Sequence, residues 1–499
     1  MSGHGVVVAR QEITEQRHII RLNVPETTEV HLDLRFSSAI LAFVRVHDPA
    51  SKLVAMAACM NGRDRIAIRI HPDAATLNAL PCAPLPGEYV VTVTVPLVEH
   101  QRAGATVEVS ASPEPLSPTA ERELTRQPLF DADGHVIGRT TVRNSEHRYY
   151  RGDLHGHTQA SDGMLDGEQA VRLLEERRLD YMAITEHNLI TFGHRAGTVV
   201  IVPAFELTLP EGHLNVYGVD RVEAIDELWS RFHRNEATIQ KLVRGLRERG
   251  YLVSINHMFL RPWAFVAKGL PVAAVDTIEL MCDPTYKDSP DANEKAVDFI
   301  DYLWSRGNRV YGVGGSDSHK LPDEPYDGSV LPSIYGDPST WVFCEGLSIE
   351  NLLSGIRRGH SYVARFVTLD ISIDEGRRLP GDRVAPDAST FDYRVRIADF
   401  GEPSTSAVTS DLTGEIVLDG TVVARVPLSP EQPDFGVRDV MSLVHDRESW
   451  WLRASVRDGA GSIVAYVNPI YCGNDESGEE TVDELIAAFE ETRDQSRAP

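Results

Sequence analysis

Apolar and polar residues alternate in short runs along the first part of the chain. Runs such as "EVHLDLRF", "AILAFVRV" and "GEYVVTVTVP" put every second side chain on one face, and Pro, Gly and Asp interrupt them. This two-residue period is typical of strands with one buried face that are joined by turns. We therefore predict an N-terminal β-sandwich over residues 1–145, with a Pro- and Ser-rich linker in "SASPEPLSPTAERELTRQP".

The pattern changes between residues 146 and 365, where short β-branched runs alternate with longer segments of helical period. The runs "YMAIT", "TVVIVPAFE", "YLVSINH", "VDTIEL" and "NRVYGVGGSD" predict strands. The segments "GEQAVRLLEERR", "EAIDELWSRFHRNEATIQKLVRGLRERG" and "DANEKAVDFIDYLWSRG" predict helices. Strands and helices in alternation favour a parallel sheet, and seven or eight such units favour a closed or nearly closed barrel.

The end of the chain returns to strands and then to a short acidic tail. Over residues 366–474, "FDYRVRIADF", "GEIVLDGTVVARVPL" and "SWWLRASVRD" predict a second β-sandwich. In the acidic tail, residues 475–499, apolar side chains recur at helical spacing, which favours a short amphipathic helix docked on the body or on another subunit. A solvated tail is the alternative. The expected fold class is α/β, with a barrel between two β-sandwiches.

The composition of the chain disfavours nucleic acid and membrane as partners. The chain has 49 Lys and Arg against 74 Asp and Glu, a formal net charge of −25, which disfavours a nucleic-acid groove. No apolar stretch is long enough to predict a membrane span, and the first residues do not resemble a secretory signal. The five cysteines lack CxxC spacing, which favours reduced thiols and a cytoplasmic location.

Metal-competent side chains follow five predicted strands of the middle region. A single buried histidine is more often a hydrogen-bonded core residue than a ligand, but five strands with the same ending favour a shared site. Because the carboxyl ends of parallel barrel strands converge on one rim, these donors are expected to meet. Histidine and carboxylate together suit zinc, manganese or iron. The donors are His155, His157, Asp162, His187, Glu206, His257, Asp317 and His319.

The motifs that carry these donors resemble those of the PHP (polymerase and histidinol phosphatase) domain. They are "DLHGHT" with "SDG", "AITEHN", the isolated Glu206, "NH" at 256 and 257, and "GGSDSH", in that order over about residues 148–365. With a β-region on each side and "FELTLPEGHLNVYG" between the motifs, the chain is most similar to the carbaryl-hydrolase-like metallohydrolases of that superfamily. The resemblance implies a distorted (β/α)7-type barrel and a metal-dependent hydrolase.

The resemblance also implies two or three divalent ions per chain and a ligand set for each. The first ion would be bound by His155, His157, Glu206 and Asp317, the second by Glu206 and His257, and the third by Asp162, His187 and His319. Glu186 stands where the family commonly has Asp, so its role is open. The second site lacks a further histidine at the usual spacing. We predict His213 there, and an orienting or substrate-binding role is the alternative.

The resemblance implies hydrolysis by a metal-bound hydroxide, because neighbouring divalent ions lower the pKa of a bridging water. No GxSxG nucleophile motif is present. The catalytic set would be His155, His157, Glu206, His257, Asp317 and His319. Substrate contacts are predicted for Arg261, Trp263 and Lys320, with packing or solvated surface as alternatives, and Glu279 is a candidate to orient a ligand.

Three functions are compatible with such a site. A phosphoesterase acting on small molecules is the first prediction, because this is the commonest chemistry of the resembled superfamily. A carboxylic or carbamic ester hydrolase would use the same metals. A non-catalytic binding or assembly protein stabilised by metal is the third possibility. The expected partner is a small-molecule ester rather than nucleic acid or membrane, and exposed sheet edges make a homo-oligomer possible.

Overall fold

The computed structural model describes residues 7–12, 17–37, 41–60, 62–95, 106–112, 127–195, 197–233, 238–401, 410–473 and 479–497. The predicted Pro- and Ser-rich linker falls largely between residues 113 and 126, outside the described residues. Strands and helices alternate irregularly, so the chain is a mixed α/β protein, as the sequence predicts. Within the described ranges, no helix is both long and apolar enough to cross a membrane.

The described residues of the N-terminal region form eight strands in two antiparallel four-stranded sheets. The strands are β1 Val7–Glu12, β2 Arg17–Val24, β3 Val30–Phe36, β4 Ala42–His47, β5 Leu53–Cys59, β6 Arg65–Ile70, β7 Gly87–Thr94 and β8 Thr106–Ser112. One sheet has the order β1-β8-β3-β6 and the other β2-β7-β4-β5. Buried and exposed residues alternate along β2, as the two-residue period predicts. The buried faces of both sheets contribute to one apolar core.

The middle region contains most of the helices. Its elements are β9 Gln127–Pro128, β10 Asn144–Asp153, α1 Gly167–Glu176, β11 Tyr181–Ile184, β12 Gly193–His194, β13 Val200–Leu209, β14 Gly212–Tyr217, α2 Val222–His233, α3 Ile239–Glu248, β15 Leu252–Ile255, β16 Thr277–Cys282, α4 Ser289–Ser305, β17 Tyr311–Gly315, β18 Ser339–Leu347, α5 Ile349–Arg357 and β19 Ser361–Ala364. Short 3-10 turns lie at Val272–Ala274 and Asp374–Gly376. The segment predicted as one long helix is two helices, α2 and α3.

The central sheet is mixed, whereas the sequence predicted a parallel one. Its order through the middle region is β17-β16-β15-β14-β13-β11-β10-β18-β19. The pairs β10/β11, β11/β13, β15/β16 and β16/β17 are parallel, but β14 is antiparallel to both β13 and β15. The physical reason is the short connection through Pro210 and Glu211. Two residues can close a hairpin but cannot hold a crossover helix.

Beyond the carboxyl ends of β10 and β17, the edge strand β17 leads into a segment that lies against the segment after the interior strand β10. Gly156 and Ser318 form a parallel bridge, the His157 amide donates to the Ser318 carbonyl at 3.3 Å, and the Asp317 amide donates to the His155 carbonyl at 2.9 Å. These bonds bring the segments after β10 and β17 side by side. The first and last donor motifs therefore lie next to each other.

The C-terminal strands are divided between an extension of the central sheet and a separate three-stranded sheet. The elements are β20 Thr368–Ile373, β21 Tyr393–Asp399, β22 Thr413–Leu418, β23 Thr421–Pro427, β24 Asp434–Val437, α6 Val440–Leu443, β25 Trp450–Arg457, β26 Ile463–Val467, β27 Ile470–Cys472 and α7 Val482–Arg497. β26 pairs with β19, so the central sheet continues through β26-β25-β22-β23. A three-stranded sheet, β20-β21-β24, shares an apolar core with this extension.

Helix α7 packs on the middle region. Val482, Leu485 and Phe489 are buried on its inner face, and the ring of Phe489 lies 5.3 Å from the ring of Phe299 in α4. The Lys295 ammonium also pairs with the Glu490 carboxylate. The apolar spacing in the tail therefore produces a helix that covers part of the body of the same chain.

Candidate metal centre

Six imidazoles and three carboxylates gather beyond the carboxyl ends of the parallel strands and along the β13–β14 hairpin. They include all eight donors singled out in the sequence, together with His213. Most are buried, and His155 and Glu206 have no exposed surface at all. Glu206 differs from the expectation in one respect. It lies inside β13 rather than at its end, because β13 runs on to Leu209 before the hairpin turns.

The first group of donors surrounds the Asp317 carboxylate. The Nε2 atoms of His155 and His157 each lie 3.1 Å from Asp317 Oδ1. Glu206 faces the same two rings, with Oε1 at 3.5 Å from His155 Nε2 and Oε2 at 3.6 Å from His157 Nε2. Ligand atoms of His155, His157 and Glu206 lie within 4.8 Å of one another, so a single ion could contact all three.

A second group lies on the other side of Glu206. His213 Nδ1 is 3.0 Å and His257 Nε2 is 3.5 Å from Glu206 Oε1. Ligand atoms of these three residues also lie within 4.8 Å of one another. The Glu206 carboxylate thus stands between two donor groups, and its two oxygens could contact different ions.

A third group surrounds Asp162. Its Oδ1 lies 3.2 Å from His319 Nε2, and its Oδ2 lies 3.4 Å from His187 Nε2. The Nδ1 atom of His157 is 3.9 Å from Asp162 Oδ1. Since His157 Nε2 faces the first group, this ring stands between the first and third groups.

The donor atoms fit bound cations. Among the described residues, His155 Nε2, His157 Nδ1 and Glu206 Oε2 are fully buried and make no well-aligned hydrogen bond. Their charged neighbours are other donors of the cluster, with His155 Nε2 3.1 Å from Asp317 Oδ1 and Glu206 Oε2 2.7 Å from His187 Nδ1. Buried ligand atoms that converge in this way are costly to desolvate, and a divalent ion would satisfy them. The surrounding residues are histidines and carboxylates, which are ligands of zinc, manganese and iron. The residues present therefore suit divalent metal ions.

The electrostatics of the cluster are those of tightly interacting imidazoles and carboxylates. Burial acts to raise the pKa of Glu206, but the imidazoles of His187, His213 and His155 outweigh it and hold the pKa well below its ordinary value. Burial together with the neighbouring rings of His319 and His187 lowers the pKa of His157 to about 3. Glu206 can therefore act as a charged metal ligand, and His157 can act as a neutral one.

Other side chains fix the orientation of the donors. Glu279 Oε1 lies 2.8 Å from His155 Nδ1, and its Oε2 accepts the His257 backbone N–H at 3.0 Å. His319 Nδ1 donates to the Asp317 carbonyl at 2.7 Å. The Nδ1 contacts of His155 and His319 leave Nε2 of each ring facing the cluster, which is the arrangement seen for metal-binding histidines. The sequence suggested Glu279 for this role.

Replacing Glu279 with glutamine is expected to weaken metal binding by roughly 10- to 100-fold, because the charged partner that fixes the His155 ring is lost. Competition with a chromophoric chelator would measure the change. Glu415→Gln is a matched control, since Glu415 is a buried carboxylate bound by Arg425 and Arg457 in the C-terminal region. Equal metal affinities in both variants would contradict the orienting role.

Two further buried carboxylates accept hydrogen bonds from the backbone around the donor residues. Glu186 accepts hydrogen bonds from the Thr158 backbone N–H at 3.1 Å and the Ser161 backbone N–H at 3.0 Å, and from both hydroxyls. Its oxygens therefore hold a turn and do not face the donor groups. Asp153 accepts the backbone N–H groups of His155 and Ser316, at 3.0 Å each. Burial raises the pKa of Glu186 to about 7 and that of Asp153 to about 6.

Two donors have backbone conformations that are unusual outside glycine. His257 has a φ of 26° and Asp317 a φ of 48°. Non-glycine residues in the left-handed region are strained and tend to occur at functional sites. Each of these residues lies two positions past the end of a strand, β15 or β17, within the cluster of donors.

A cavity of about 650 Å³ opens onto the cluster. The N-terminal region forms part of its wall with Leu41, Phe43 and Met60. Trp263, one of the residues predicted to contact substrate, lines the cavity, whereas Arg261 and Lys320 are not among the described residues that line it. The Lys320 ammonium instead pairs with Glu324 at 3.5 Å.

The cavity also contains a carboxylate that the sequence did not single out. Asp283 is buried, follows β16 with a φ of 36° and lines the wall beside Tyr286 and Tyr326. Burial raises its pKa to about 7. No motif marks this residue, because "CDPTY" has the composition of an ordinary loop.

Comparisons with known proteins give only distant likenesses. No protein-family model matches the chain, and no curated protein matches it. A solved structure from Bacteroides vulgatus, a "two-domain protein containing predicted PHP-like metal-dependent phosphoesterase", is 14% identical, with 66% of this chain and 98% of that chain covered and a TM-score of 0.35. An amidohydrolase from Chromobacterium violaceum is 14% identical, with 35% and 89% covered and a TM-score of 0.22.

Proposed function

We propose that this protein is a metal-dependent hydrolase of the PHP type, with two or three divalent ions in the centre described above. The observation that supports the proposal is the convergence of histidine and carboxylate ligand atoms, most of them from buried residues, in three donor groups at one cavity wall. Divalent ions bound there supply Lewis acidity and lower the pKa of coordinated water. The (β/α)7-type barrel and the flanking β-sandwiches are part of this proposal.

Each donor group would hold one ion. The first would be held by His155, His157, Glu206 and Asp317, the second by Glu206, His213 and His257, and the third by Asp162, His187 and His319. The shared residues Glu206 and His157 would keep the groups at fixed separation. Glu279 would orient His155, and the apolar wall would restrict water around the substrate. His155, His157, Glu206, His257, Asp317 and His319 are the proposed catalytic residues.

The metal donors are accessible from the cavity, and this favours a catalytic role over a purely structural one. Structural metal sites are usually closed by four protein ligands, whereas catalytic sites keep a position open. Here His187, His213, His257 and His319 all line the cavity. A substrate entering the cavity would therefore reach the second and third groups directly.

The first candidate for the scissile bond is a phosphoester of a small molecule, in keeping with the motif resemblance. A second candidate, a carboxylic or carbamic ester, is favoured by the composition of the cavity. None of the described residues that line it is Lys or Arg, and Asp283 adds a carboxylate to those of the donor groups. Much of the remaining wall is apolar or aromatic, which suits a neutral ester.

Turnover by protein loaded with manganese or zinc tests the proposal and separates the candidates. The substrates are para-nitrophenyl phosphate, bis-para-nitrophenyl phosphate and 1-naphthyl carbamate. Turnover of either phosphoester supports the first candidate, and turnover of the carbamate alone supports the second. A metal-loaded protein that hydrolyses none of them, and in which Asp317→Asn leaves the biological role intact, would favour the non-catalytic alternative.

A further inference from the structure

The side chain of Asp162 is carried by a tight turn that follows the first donor motif. The Ser161 backbone N–H donates to the Thr158 carbonyl at 3.2 Å, and the Gly163 N–H donates to the same oxygen at 2.9 Å. A Cβ at Gly163 would lie 2.5 Å from the His157 carbonyl oxygen, so only glycine fits there. The position of Asp162 therefore depends on how firmly this turn is held.

The inner side of the turn is held by the middle region itself. The Glu186 carboxylate accepts the N–H and hydroxyl groups of both Thr158 and Ser161. The N–H groups of Thr158 and Ser161 thus have a buried acceptor within the middle region, whereas the carbonyls of Gln159 and Ser161 are bound by a different residue.

The N-terminal region supplies that donor through Arg63, which lies between β5 and β6. The Nη1 group of Arg63 donates to the Gln159 carbonyl, and its Nη2 group donates to the Ser161 carbonyl. The Nε group bonds the Met60 carbonyl at 3.4 Å, which ties the guanidinium to the residue that also lines the cavity. One rigid, charged group therefore joins the two parts of the chain immediately before Asp162.

We propose that Arg63 is a positioning residue for Asp162, so that the N-terminal β-region completes the third donor group. The inference depends on the proposed function, in which Asp162, His187 and His319 bind an ion. Arg63 and Glu186 hold the turn from opposite sides, by its carbonyls and its N–H groups respectively. Without the guanidinium, the turn loses its outer contacts, and Asp162 is no longer fixed between the two imidazoles.

The test is the number of ions bound and their separate affinities in Arg63→Met. Titration with Zn²⁺ against a chromophoric chelator, with elemental analysis of the saturated protein, gives both. The affinity of one ion is expected to fall at least tenfold while the others keep theirs. Arg63→Lys should recover part of the loss, because an ammonium can still reach one carbonyl.

Arg65→Met is the matched control on the same sheet. The Arg65 guanidinium pairs with Asp33 at 2.6 Å on an exposed surface and does not contact the turn. Its metal affinities are expected to equal those of the wild type. Thermal unfolding of the metal-free variants verifies that each one folds. If Arg63→Met does not fold, Arg63→Lys carries the test, and a smaller loss of affinity confined to one ion is then expected.

Two results would contradict the inference in different ways. A folded Arg63→Met protein that binds every ion with wild-type affinity would overturn the positioning role and leave the proposed function intact. A uniform loss of all affinities would also overturn it, because a general structural defect would explain that pattern. A wild-type protein that binds no divalent ion would instead overturn the proposed function itself.

Discussion

Glu206→Gln is expected to reduce kcat/KM on any accepted ester by on the order of a thousandfold, because metal ions contribute several kcal/mol of transition-state stabilisation. Glutamine has the same shape but lacks the charge that faces two donor groups. One oxygen of Glu206 lies 3.0 Å from His213 Nδ1, and the other lies 3.6 Å from His157 Nε2. Steady-state kinetics with the metal content of each sample would measure the loss.

The control for this variant is Glu415→Gln, which removes a buried carboxylate far from the metal centre along the chain. Its kcat/KM should remain at the wild-type value, even if thermal stability falls. If Glu206→Gln kept both its ions and its turnover within tenfold of the wild type, the bridging role assigned to this carboxylate would be wrong.

Removing the metals is expected to lower the thermal midpoint by on the order of 8 °C for each ion bound at a thousandfold excess over its Kd. Such binding stabilises the folded protein by about 4 kcal/mol, and each kcal/mol shifts the midpoint of a large domain by roughly 2 °C. Calorimetry with and without a chelator would measure the shift. Chelation that leaves the midpoint unchanged would contradict metal binding in this centre.

The same metal binding should depend on pH in a definite direction. Burial acts to lower the pKa of His155 and of His187, but the neighbouring carboxylates outweigh it and raise both above the ordinary value. These rings are therefore protonated near neutrality in the metal-free protein, and an ion must displace the protons. Metal affinity should rise with pH, with proton release in a weakly buffered titration.

The donor residues could be predicted from the sequence because each one lies close to a strand that the apolar pattern makes visible. "GGSDSH" begins in the buried strand β17, whereas "DLHGHT" comes at the end of β10, most of which is exposed or half-buried. The ends of neighbouring strands meet whatever their exact register. His213 is predicted from its place seven residues past Glu206, at the start of another strand. In the structure it reaches Glu206 because the hairpin places β14 beside β13.

The sheet direction and the supporting contacts could not be predicted in the same way. The segment "TLPEGHL" has the composition of a hairpin turn. The strands and helices that alternate on both sides of it nevertheless favour a sheet of parallel strands. Arg63 lies 98 residues from Ser161, and nothing in its own sequence neighbourhood indicates that contact. Thr208, whose Oγ1 lies 2.6 Å from His187 Nδ1, likewise resembles any strand threonine.

The continuity between the middle and C-terminal strands limits where the chain can be divided. β19 pairs with β26, and the Asn468 side chain bonds both the N–H of Gly312 at 2.8 Å and its carbonyl at 3.0 Å. A fragment ending at residue 365 would contain every donor motif but would expose a bare strand edge and leave those backbone groups unpaired. Open edges recruit other chains, so such a fragment is expected to aggregate.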